Sequence, residues 1–219
     1  MSQTLQKLRI HGDNILECEK ALKLLILALE AQDKDVIFLG KAAYAPVYKI
    51  TKNSKIFEIK LFPGYDRWGM NLRQYLVDSG AVLREATDAI VTKLIEKDGN
   101  SYEEPILSLE FCGALPAGNN AWQRCGRALA SAYAKIPYLY FAEIGGVELD
   151  ADRQIKASRF PNPLVPFSYL TLGEVEKTIA IPVFAGSASL NDAIKQKFDK
   201  YFGLNEAIIE GMLNLVETM

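Results

Sequence analysis

Two acids sit at the ends of apolar runs in this chain. Asp88 opens T-D-A-I-V, and Glu110 lies near the end of I-L-S-L-E-F. If the two runs pair as neighbouring strands, both carboxylates fall at one end of a sheet. Converging carboxylates suit a hard divalent cation such as Mg2+, with Mn2+ as a substitute. Such an ion takes oxygen ligands, keeps several waters and binds through one or two carboxylates plus substrate phosphates. It lowers the pKa of a bound water and offsets charge developing on phosphate. Gln123 and Arg127 follow in A-W-Q-R-C-G-R. They are four apart, so they share a helix face that can lie over the strand ends. Each residue also has a plainer role. A strand-end acid is commonly solvated or paired with an arginine, and Asn120-x-x-Gln123 also fits a capping box.

The elements that must carry these residues follow from period and punctuation. LRIHGDN reads as a strand and turn. Asn14 is placed to cap a helix running to about Ala31, and Glu17 at the third helical position makes N-x-x-E a capping-box pattern. DVIFLG, PVYKIT and KIFEIKLF read as strands, the last two as a hairpin. LRQYLVDSGAVL reads as a helix with a glycine stop. TDAIVTKLIEK and EEPILSLEFCGAL form a second strand pair across a turn containing D-G-N. A helix from about Asn119 to Ala134 and the strand IPYLYFAEIGG come next. DRQIKASRFPNPLVPF reads as an irregular basic crossing to a strand near TIAIPVFAG, and two helices close the chain. Strands and helices without strict alternation predict an α/β (α+β) fold, a central mixed β-sheet flanked by helices, in one domain over 1–219.

Composition excludes several classes. The chain is 49% hydrophobic and 24% charged, as a packed globular protein requires, and its net charge of −2 leaves binding to local charge distribution. Three cysteines without C-x-x-C spacing argue against a disulfide framework or zinc cluster and fit a reducing cytoplasm. His11 is the single histidine, which excludes sites built on several. The N-terminus lacks a signal-peptide core. The most apolar run, ALKLLILALEA, is too short for a bilayer, so no membrane partner is expected. The chain ends inside a helical pattern, EAIIEGMLNLVETM, as a fragment of a longer protein would.

The placement of Asp88 in T-D-A-I-V and Glu110 in L-E-F-C, followed by the helix with Gln123 and Arg127 and the strand PYLYF, resembles the PD-(D/E)XK nuclease superfamily. That superfamily includes most type II restriction endonucleases. The resemblance covers roughly residues 13–144 and leaves about 145–219 as a C-terminal extension. The family core runs helix, three strands, helix, strand. Its metal-binding Asp begins one strand, and its Glu and Lys end the next in a D/E-x-K motif. The resemblance implies a restriction-endonuclease-like core and Mg2+-dependent hydrolysis of DNA phosphodiester bonds. Asp88 and Glu110 would hold the metal, and Gln123 would orient the attacking water. Double-stranded DNA would be the substrate. Restriction enzymes often dimerise to match a palindromic site, so a homodimer is implied by analogy. Glu17 would match an acid that some members carry on the first helix.

Cys112 occupies the position of the family lysine, and a neutral thiol does not replace an ammonium there. Some members use Gln or a polar group from the following helix, which points to Gln123, with Lys60 and Lys93 next. If none reaches the site, the chain is a catalytically inactive nuclease-like module that binds DNA or a partner. A literal E-x-K, Glu58-Ile59-Lys60, competes for the role, but the strand before it, PVYKIT, carries no Asp. A different hydrolase using Glu148, Asp150 and Asp152 of V-E-L-D-A-D is a third reading. For DNA, Arg127 and the Pro-rich basic segment with Arg153, Lys156 and Arg159 are the candidate contacts. Residues 41–67, with Lys41, Lys49, Lys52, Lys55, Lys60 and Arg67, form a second basic cluster.

Overall fold

The computed structural model describes residues 4–42, 45–52, 54–112, 124–144, 147–149, 155–158 and 164–186. In chain order the elements are β1 (Thr4–Gly12), α1 (Ile15–Ala28), β2 (Val36–Ala42), β3 (Ala45–Lys52), β4 (Lys55–Pro63), α2 (Leu72–Asp78), β5 (Ala89–Lys97) and β6 (Asn100–Cys112). Then come α3 (Cys125–Tyr133), β7 (Tyr138–Ile144), β8 (Val147–Leu149), β9 (Ile155–Ser158), α4 (Leu164–Glu176) and β10 (Ala180–Gly186). Eight strands form one mixed sheet in the order β10-β7-β6-β5-β1-β4-β3-β2, and β8 pairs with β9 alone. The architecture is an α/β protein around a central mixed sheet.

Alternation along the strands assigns the two faces. Leu8, Ile10, Ala89, Val91, Leu107, Leu109 and Leu139 pack with Cys18, Leu22 and Leu25 of α1. Their neighbours Ile90, Tyr138 and Tyr140 point the other way, where α2, α3 and α4 supply Leu72, Leu76, Ala128, Ala130 and Tyr169. Each large apolar side chain so buried contributes about 1.5–3 kcal/mol, so packing on both faces rather than helix propensity holds these short helices.

Local chemistry sets the boundaries. Asn14 Oδ1 accepts hydrogen bonds from the backbone N–H of Leu16 and Glu17, at 2.9 and 3.1 Å, and starts α1. Its predicted box is half formed, since the Glu17 carboxylate lies 3.3 Å from Lys20 Nζ. The helix stops at Ala28, short of Ala31, because Glu30 turns left-handed at φ 49° and its carbonyl accepts from Lys52. Asp98 and Gly99, at φ 53° and 78°, form the two-residue turn that joins β5 to β6.

Two stretches of the segment expected to be irregular are regular elements. Ile155–Ser158 is a strand and Leu164 begins a helix. Pro166 falls in the first turn of α4, where a missing N–H breaks no bond. The predicted helix start near Asn119 and the two closing helices lie outside the described residues.

Candidate functional site

The β5–β6 hairpin positions both acids. Its register runs Lys97↔Asn100 at the turn, shifts between Val91 and Thr92, and ends at Ala89↔Leu109. One step further, Asp88 faces Glu110. The shift sits beside Pro105, which has no N–H to give the ladder. Each carboxylate then holds a backbone N–H of the opposite strand. Asp88 N donates to Glu110 Oε2 at 3.2 Å, and Phe111 N donates to Asp88 Oδ2 at 2.8 Å.

Helix α3 supplies the cations. Arg127 Nη1 lies 3.0 Å from Asp88 Oδ1 and 3.0 Å from Glu110 Oε1. Arg124, just before α3, also bonds Glu110 Oε1 and lies 3.5 Å from Asp88 Oδ2. The helix is fixed below them by Ser131, whose Oγ lies 3.0 Å from Ser108 Oγ and donates to the Arg127 carbonyl at 3.1 Å.

Burial and like charge govern the electrostatics. Glu110 is fully buried. Burial pushes its carboxyl up to about 7, the charge of Asp88 adds to this, and Arg127 and Arg124 oppose it. Burial acts to lower Arg127, but Glu110, Asp88 and Asp13 raise it above the ordinary arginine value, so it stays charged. Two more acids approach from the start of α1. Asp13 is raised by burial and by Asp88, against Arg127 and Arg73. Glu17 is raised by burial and by Asp88, against Lys20. Gly12 permits this approach: Asp13 N donates to the Asp88 carbonyl at 3.1 Å, and a Cβ on Gly12 would meet Cys18 Sγ at 2.8 Å.

The donor set fits Mg2+ by chemistry. Asp88 Oδ1 and Glu110 Oε1 are hard oxygens that meet at one positive nitrogen, and an ion that keeps its waters needs no more than two carboxylates. Among the described residues no group of three or more His, Cys, Asp or Glu side chains is placed to hold a metal.

Comparison with family models, with curated proteins and with solved structures finds no match.

The other predicted residues are placed as follows. Asp88, Glu110 and Arg127 come together. Gln123, Arg153 and Arg159 lie outside the described residues, as do Asp150 and Asp152. Lys156 is in β9, and Glu148 in β8, with their backbones alone described. Cys112 ends β6. Glu58 and Lys60 sit mid-strand in β4, where their register neighbours are Lys7, Lys49, Arg9 and Val47, so no second acid is supplied. Lys93 shares the register row of Leu8, on the α1 face, away from Glu110. Arg124 and Asp13 were not in the predicted set. The first was detectable as i, i+3 to Arg127, and the second as the acid directly before a helix cap.

Among the described residues between Asn14 and α3 there are α1, five strands and α2, against the helix and three strands of the family core. From Asp88 onward the described elements are β5, β6, α3 and β7, with β7 parallel to β6. Among the described residues no helix is long and apolar enough to cross a membrane.

Proposed function

We propose that this protein is a Mg2+-dependent DNA endonuclease of the type II restriction kind, built on a restriction-endonuclease-like core. The single observation that carries this is the meeting of Asp88 and Glu110 at one end of the sheet, where Glu110 accepts from the Asp88 backbone N–H and Asp88 from that of Phe111. Asp88 and Glu110 would hold the cation. When bound, it supplies activation of water and stabilisation of charge on the phosphate. Burial of Glu110 and its hydrogen bond from Asp88 N fix the carboxylate before substrate arrives, so little ordering remains to be done on binding. Gln123, from the segment before α3, orients the attacking water. Arg127, Arg153, Lys156 and Arg159 contact phosphates, and a homodimer matches a palindromic duplex. Cys18 and Cys125 form no disulfide among the described residues, which suits a reducing cytoplasm.

A second reading is favoured by two specific observations. Cys112 stands where the family has Lys, and both carboxylates are engaged by arginines. On that reading the module binds DNA without cutting it.

The test incubates purified protein with mixed-sequence duplex DNA and Mg2+, Mn2+ or Ca2+, followed by a gel. Discrete fragments with Mg2+ and Mn2+, none with Ca2+, and none from Glu110→Gln despite retained DNA binding are the expected results. No cutting of any DNA by the wild type would select the inactive module. Full activity in Glu110→Gln would put the metal elsewhere.

A further inference from the structure

Each acid of the pair has one oxygen held by backbone and one turned to the arginines, with Arg124 Nη1 also on Glu110 Oε1 and 3.5 Å from Asp88 Oδ2. Glu110 Oε2 accepts from Asp88 N, and Asp88 Oδ2 accepts from Phe111 N. The two facing oxygens, Asp88 Oδ1 and Glu110 Oε1, converge on Arg127 Nη1, at 3.0 Å from each. A guanidinium nitrogen therefore occupies the point where a shared cation would bind.

We propose that Arg127 is a stand-in cation, which a divalent ion must displace from Asp88 and Glu110 and which then grips the substrate phosphate. This rests on the endonuclease reading and adds to it a coupling between metal and DNA. The geometry permits the exchange. The Arg127 side chain is 25% exposed, so its head reaches solvent, while Ser131 pins its backbone carbonyl. Movement is confined to the side chain. Glu85 lies 3.9 Å from Arg127 Nε, on the solvent side of the pair, and marks a position to which the guanidinium can turn. A planar fork of donors matches phosphate as well as carboxylate. Without DNA, a cation entering the site leaves Arg127 facing the cation with only the half-exposed Glu85 as its anion. With DNA, the phosphate accepts it. Cation and duplex must then assist each other's binding by the same factor. Arg127 is thus a positioning residue for the metal, and the resting pair keeps two adjacent carboxylates neutralised.

The test is Ca2+ titration calorimetry on the whole chain without DNA, using wild type, Arg127→Gln, Arg127→Met, Arg127→Lys and Glu110→Gln. Both neutral variants should bind Ca2+ about tenfold or more tighter than wild type, since the charge-assisted hydrogen bonds from Arg127 to Asp88 and Glu110 no longer have to be broken. Arg127→Lys keeps the competing charge and should stay within about threefold of wild type, well short of that tenfold gain. Glu110→Gln should abolish the binding. Neutral variants that bind no tighter than wild type overturn the displacement, and loss of binding in Glu110→Gln would then leave the metal site standing. Ca2+ binding that never depends on Glu110 overturns both. If both neutral variants fail to fold while Arg127→Lys folds, Arg127 is a fixed structural charge and the displacement is again overturned.

Discussion

Glu103→Gln should remove an acid-sensitive part of this protein's stability. Glu103 lies in β6 with 7% of its side chain exposed. Its Oε2 is 2.8 Å from His11 Nε2 and accepts from Thr92 Oγ1 at 2.7 Å, while Oε1 bonds Arg9. Burial works to raise this carboxyl. The hydrogen bonds from His11 and Thr92 and the charges of His11 and Arg9 outweigh it and hold the group down at about 2, against an ordinary 4.5. By linkage that difference is worth about 3 kcal/mol before screening. Arg9 is partly open to water, so about 1.5–2 kcal/mol is the working expectation. The sign follows from the direction: a carboxyl whose folded value is depressed stabilises the fold above its unfolded value and loses this as pH falls through its folded one. Urea unfolding of wild type and Glu103→Gln should therefore differ by about 1.5–2 kcal/mol near neutrality. The gap should hold down to about 4.5 and close as pH approaches about 2. Acids distant from Glu103 titrate alike in both proteins and cancel in the difference. A gap that stays constant across this range would refute the ion-pair reasoning and leave Glu103 as a packing residue.

Two further perturbations test the frame that carries the candidate site. Gly12→Ala should cost about 1–3 kcal/mol in urea unfolding, because the new Cβ would meet buried Cys18 Sγ at 2.8 Å and the Asp88 carbonyl at 3.2 Å; adding Cys18→Ala should recover part of it, and no loss in the single variant would refute the close approach. Asn14→Ala should cost about 1 kcal/mol by releasing the Leu16 and Glu17 amides, and an unchanged unfolding midpoint would show that solvent replaces the cap.

How much of this was legible in the sequence depends on the range of each interaction. The cap at Asn14 and the turn at Asp98-Gly99 are local, and residue type alone announced them. The pairing of β1 with β4 was not announced, because Thr4↔Lys55 joins segments some fifty residues apart through a parallel ladder that leaves no turn signature. Helix α4 was hidden by the run of Pro161, Pro163 and Pro166, which read as breakers although Pro166, the one inside the helix, sits in the first turn where it is tolerated. The meeting of Asp88 with Glu110 was legible in outline and depended in detail on one residue. Counting back from Lys97↔Asn100 without interruption would set Asp88 against Leu109, an α1-facing position. The extra residue at the Val91/Thr92 shift sets it against Glu110 instead. A one-residue slip exchanges the faces of a strand, so this bulge decides whether there is a carboxylate pair at all. Pro105 carried the signal, since a proline inside a strand marks an edge or a bulge, and no edge is available between β5 and β7. What sequence could not decide is the partner of the pair. Arg124 and Arg127 share a helix face at i, i+3, and that face could have turned to solvent. It turns inward because Ala128, Ala130 and Ala132 are small enough to let α3 lie close on the sheet, with the Ser131–Ser108 contact as its anchor. The same closeness that seats two arginines on the acids makes any metal at this site a competitor for carboxylates already satisfied. The affinity of the site for a cation is therefore set as much by α3 as by the two acids.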